Sequence, residues 1–109
     1  MLATLVQRGA EPMANAHWIV GAFSLATGDY AAAISSFEKS RDTATEGHLR
    51  GAAILSAGYI GIAIVAGKKD AARGETELAE AKRVLIAEKI QDGQFFADQL
   101  TTAYRVFVK

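Results

Sequence analysis

The chain has 109 residues, one domain's worth, and half of them are apolar. Twelve basic and twelve acidic residues leave no net charge, which argues against nucleic acid and gives no electrostatic reason for an acidic membrane surface as partner. With no cysteine there is no disulfide framework and no thiol chemistry. Alanine is abundant and proline occurs once, at Pro12, so an all-α domain is expected. The N-terminus lacks the basic stretch followed by a long apolar run of a signal peptide, and a cytoplasmic protein is the default expectation.

Taken in order, Leu2, Leu5 and Val6 recur at helical spacing, and a short helix ending at Gly9 is expected. Glu11-Pro12 then reads as a fresh start, with the proline in a first turn. That helix runs to Thr27 and carries small residues at Ala14, Ala16, Gly21, Ala22 and Ala26, which would let a neighbour approach closely. Gly28 breaks the pattern and Asp29 can cap the free amides of a second helix, Asp29 to about Thr43. Ala33, Ile34 and Phe37 share one face of it, while Ser36, Lys39 and Ser40 are assigned to the polar face. The stretch from Asp42 to His48 reads as an irregular link, with Thr43 or Thr45 as cap for the next helix.

Residues 51–67 carry no charge. As a helix they span roughly 26 Å, short of a bilayer core of about 30 Å. A central helix buried on nearly all sides is the reading preferred over a membrane span. Its Gly58 and Gly61 each cost about 1 kcal/mol against alanine, which close helix packing would offset. Gly67 ends it and Asp70 begins the most charged stretch, to Ile90, with Ala71, Gly74, Leu78, Ala81 and Leu85 as the packed stripe. Arg73 and Glu77 stand four apart as helix partners. After a break near Gly93, the residues Phe96, Leu100, Ala103, Tyr104 and Phe107 predict a final helix covering an open end of the core, or an oligomer contact.

The residues Val20-Gly21, Gly28-Asp29-Tyr30, Ala33, Phe37 and Ser40 resemble a tetratricopeptide repeat. The likeness covers Ala14 to Asp42, and a degenerate second copy can be laid over residues 51–81. The two turn glycines, Gly28 and Gly67, are thirty-nine residues apart instead of about thirty-four, and the repeat's terminal proline is missing from both copies. The resemblance implies stacked antiparallel helical hairpins. It also implies a groove that holds a partner peptide, with Asn15, Trp18, Ala22 and Leu25 as the partner-binding places. The matching face of the second hairpin falls at Ile54, Ala57, Gly61 and Ile64, too apolar to stay open, so the final helix or another molecule is expected to cover it.

No catalytic set stands out. The two histidines, His17 and His48, have no metal-ligand spacing, and the glycines lack the Gly-Lys-Ser/Thr ending of a phosphate loop. The expectation is therefore a non-catalytic interaction module without cofactor or metal, binding a protein or peptide, or a second copy of itself. The alternative is a binder of an apolar small molecule in a pocket lined by the glycine-rich central helix.

Overall fold

The computed structural model describes the backbone of residues 2–68 and 70–108, and the side chains from residue 9 onward. The order is α1 (Leu2–Ala26), α2 (Tyr30–Glu46), α3 (Arg50–Ala66), α4 (Ala71–Ala87) and α5 (Gly93–Phe107), with no strand among the described residues. Consecutive helices pack as hairpin-like pairs. The third helix touches all four others, and α5 rests on both α3 and α4. The expected breaks near Gly28, Gly47, Gly67 and Gly93 are all present.

Short polar residues start two of these helices. Asp29 accepts the Ala32 amide at 3.2 Å and Asp70 accepts the Arg73 amide at 3.1 Å, each occupying an orphan donor of a first turn. Gly28, at φ 83°, turns the chain after α1, and the Asp29 amide then reaches back to the Ser24 carbonyl. The equivalent place after α2 is taken by His48 at φ 60°, closed by the Leu49 amide on the Ala44 carbonyl. Lys68 and Lys89 hold the same left-handed conformation after α3 and α4. Arg73 and Glu77 pair at 3.2 Å, an exposed contact worth a few tenths of a kcal/mol.

Three boundary expectations change. The first helix does not stop at Gly9 and restart at Pro12; it runs through both. A proline in a helix interior costs about 3 kcal/mol, so packing on either side of it must hold the helix straight on. Ala10 lies against Gly47, where a Cβ would strike it, and Ala14 is buried with Ala44 and Ala53. How Leu2, Leu5 and Val6 pack lies outside the described side chains. The second helix continues to Glu46, so Thr43 and Thr45 are helical, and the Thr45 hydroxyl bonds back to the Arg41 carbonyl at 2.8 Å. Leu49 precedes α3 without a side-chain cap. At the far end α4 closes at Ala87, short of the expected Ile90.

The core is built on close helix crossings. Gly21, Ala33 and Phe37 are buried, as their places in the resemblance require. The Phe37 ring lies so near Gly21 that an added Cβ would come within 2.7 Å of it. On its other side Phe37 meets Tyr59 of α3, ring centres 5.2 Å apart, joining the first hairpin to the second. Between α3 and α4, a Cβ on Gly61 would sit 2.6 Å from the Gly74 carbonyl, and one on Gly74 would sit 2.7 Å from the Gly61 carbonyl. The two backbones touch there, which explains both glycines. Gly58 is filled by the Leu100 side chain of α5, and Gly93 packs on the Leu85 carbonyl.

The face made by Ile54, Ala57, Gly61 and Ile64 is not the one that the final helix covers. It turns to α4: Gly61 meets Gly74 and Leu78, Ile64 is buried, and Ile54 and Ala57 line a cleft with Thr76, Glu77, Glu80 and Ala81. The final helix covers a different side of α3, at Gly51 and Gly58. When every side of a helix is apolar, its periodicity cannot say which side meets which neighbour. Ser40, assigned to the polar face of α2, is also buried. Lys39 is exposed as expected and Ser36 is half-buried.

Candidate functional site

Asn15, Trp18 and Ala22 lie on one side of α1, spaced three and four residues apart, with Leu25 at its margin. That side borders α3, whose Tyr59 makes an edge-on contact with Trp18 at 5.4 Å between ring centres and 87° between planes. Across α3 stands α5, where Gln99 Nε2 donates to the Tyr59 hydroxyl at 2.9 Å. Burial pushes the Tyr59 phenol above its ordinary pKa, and the hydrogen bond from Gln99 works against that rise. Trp18, Tyr59 and Gln99 thus form a tie from α1 through α3 to α5.

To one side of this tie lies a cleft of about 670 Å³. Its walls come from Glu11, Ala14 and Asn15 of α1, the start of α3 with the His48–Leu49 turn before it, and the turn into α5 with Phe96. Leu49, Leu55, Ile90 and Phe96 give it apolar surface; Glu11, Asn15, His48, Arg50, Gln91 and Asp92 give it polar groups of both signs. Arg50 is steadied by an ion pair to Glu88 at the end of α4. Gly51 leaves room here for the Phe96 ring, whose nearest atom would stand 3.1 Å from an added Cβ. At the opposite end of the same side of α1, a second cleft of about 410 Å³ is lined by Leu25, Ala26, Gly28, Tyr30 and Phe107.

The four residues named from the sequence therefore differ in surroundings. Asn15 is exposed and lines the larger cleft. Trp18 is half-buried against Tyr59, and its indole N–H is buried without a hydrogen-bond partner among the described residues. Ala22 is half-buried. Leu25 retains 3% exposure and is part of the core, so it offers little to a partner as it stands. The polar cleft residues His48, Arg50 and Asp92 escaped the sequence reading, because they sit at two helix breaks that meet only after folding. The clustering of charged and polar residues at each break was their one sequence signal.

Among the described residues, no group of three histidine or acidic side chains comes together as a metal site would need. None of the helices described is long and apolar enough to cross a membrane. No family model matches the chain, and neither a curated protein nor a solved structure matches it.

Proposed function

We propose that this chain is a tetratricopeptide-like interaction module that binds a protein segment in the cleft between α1, α3 and the turn into α5. The carrying observation is the cleft itself: apolar walls with polar groups of both signs at the rim, and Asn15 exposed on the inner side of α1. An asparagine amide can both donate to and accept from the backbone of an extended ligand. Leu55 and Phe96 supply apolar surface for its side chains. Trp18 and Ala22, further along the same side of α1, do not line this cleft.

The competing reading, an apolar small-molecule pocket beside the glycines of α3, has less support. Leu100 fills the space at Gly58, and the α4 backbone fills the space at Gly61. The test is selection from a displayed peptide library on the purified full chain, followed by affinity measurements on Asn15→Arg and Phe96→Ala. Each substitution is expected to weaken binding by more than about 1 kcal/mol; the exposed Asn15→Arg should keep helical signal and melting close to the parent, whereas Phe96→Ala, whose ring packs on the core beside Gly51, should also lower the melting temperature. Selected peptides that bind both variants at parental affinity would remove the cleft as the site.

A further inference from the structure

We infer that the outer side of α1 is a self-association surface, on which a second copy of this chain packs its own α1 antiparallel. From Pro12 to Gly28 there is no Asp, Glu, Lys or Arg. A helix side facing water is ordinarily polar, yet Met13, Ile19, Val20 and Phe23 stand 57%, 61%, 54% and 70% exposed. Met13, Ala16, Val20 and Phe23 follow one another at spacings of three, four and three. That alternation keeps one seam of a helix against a partner helix.

The same register is already used inside the molecule. In the folded chain α1 and α3 superpose at an offset of forty, one more than the turn glycines give: they end at Ala26 and Ala66, and Gly21 and Gly61 each meet the following helix. On that offset Ala16 and Ile19 correspond to Ser56 and Tyr59, the α3 residues that rest on Ser40 and Phe37 of α2. This side of the helix is thus the one by which the architecture receives a neighbour. The stripe is self-complementary about a two-fold axis near residue 18. Met13 then faces the partner's Phe23, a sulfur–aromatic contact, and Ala16 faces the partner's Val20, a small residue against a branched one. No charge between Pro12 and Gly28 opposes that approach. Met13, Ile19, Val20 and Phe23 together leave on the order of 500 Å² open on each copy, so a pair that covered them completely would bury at most about 1,000 Å², at the threshold of a specific interface. None of Met13, Ala16, Val20 and Phe23 lines the cleft.

The measurement is the mass of the full chain by sedimentation equilibrium over a wide concentration series. A monomer–dimer equilibrium is expected. Val20→Glu and, separately, Phe23→Glu should each raise the dimer dissociation constant at least tenfold with an unchanged helical signal; both positions are exposed in the monomer. The chain has no cysteine, so introduced thiols report contacts cleanly. Mixed Met13→Cys and Phe23→Cys chains should form the 13–23 disulfide in preference to 13–13 and 23–23. A constant monomer mass overturns the inference and leaves the stripe to a different chain. A dimer indifferent to both glutamates overturns it too, placing the contact elsewhere, such as Phe95 and Val106 of α5. Preferential 13–13 and 23–23 crosslinks overturn the antiparallel arrangement.

Discussion

The Ser40 hydroxyl gives its only proton to the Ala14 carbonyl at 2.8 Å, so the Ser56 hydroxyl, 3.0 Å away, must be the donor in the contact between the two serines. One relay of two buried hydroxyls therefore ties α1, α2 and α3 together where the hairpins meet. Ser40→Ala removes both bonds and leaves Ser56 seeking an acceptor in an apolar site. A loss of about 1–3 kcal/mol is expected in urea denaturation. The double variant Ser40→Ala/Ser56→Ala should be less unstable than the sum of the single changes, since no hydroxyl is then stranded. Strict additivity would mean the two hydroxyls do not bond.

Gly21 and Phe37 set the width of the first hairpin. Gly21→Ala would press a methyl onto a fully buried ring and should cost about 1–3 kcal/mol. Phe37→Ala opens the same space from the other side and should cost about 3–5 kcal/mol. Thermal melting of the two variants checks both figures. A Phe37→Ala chain that melts with the parent would contradict the packing of this ring between Gly21 and Tyr59.

Lys68 and Lys89 hold the left-handed turn after α3 and α4 at φ 60° and 52°, where a side chain is strained. Lys68→Gly and Lys89→Gly should each raise stability by about 0.5–1 kcal/mol, the relief being partly offset by the freer unfolded chain. The shift in urea midpoint measures it. Two destabilised variants would show that the lysine side chains contribute more than the strain costs.

Alkaline pH should unfold the protein through Tyr59. In the folded state burial raises this phenol's pKa above the ordinary value of 10.0, so the unfolded chain loses the proton first. Its contribution to stability is complete below pH 10 and declines as pH rises through the folded pKa. Tyr104, raised by its hydrogen bond to Glu75, acts in the same direction from the surface. Phenolate absorbance should show ionisation above the ordinary range, and Tyr59→Phe should flatten the alkaline fall in melting temperature. An unaltered slope in that variant would contradict the burial argument.

Local chemistry was readable along the chain and long-range choices were not. Asp29 and Asp70 act on amides three residues away, and the breaks near Gly28, Gly47, Gly67 and Gly93 depend on their immediate neighbours. Gly21 and Phe37 were placed by their likeness to a repeat whose packing geometry dictates those residue sizes. Pro12 and Gly9 misled because Gly47 and Ala44 of the next helix hold α1 through them. Ser40 looked like surface because its partner Ser56 and the Ala14 carbonyl are remote in sequence. For the candidate site, Asn15 comes from the groove places that the repeat resemblance implies, and it lines the cleft. The rest of the cleft was not legible, since His48, Arg50, Asp92 and Phe96 converge only when two turns meet α1.

The central position of α3 has a consequence for the order in which the chain folds. Helix pairs adjacent in sequence make most of the packing, so little loop entropy is spent before the first contacts form, and folding should be fast for a chain of this length. Only α3 is shared by both hairpins and the final helix. A nucleus built on α3, with either α2 or α4 as its first companion, is the expected outcome, with the outer half of α1 and the end of α5 condensing later. Amide exchange should accordingly be slowest between Ser56 and Val65 and fastest near the two termini.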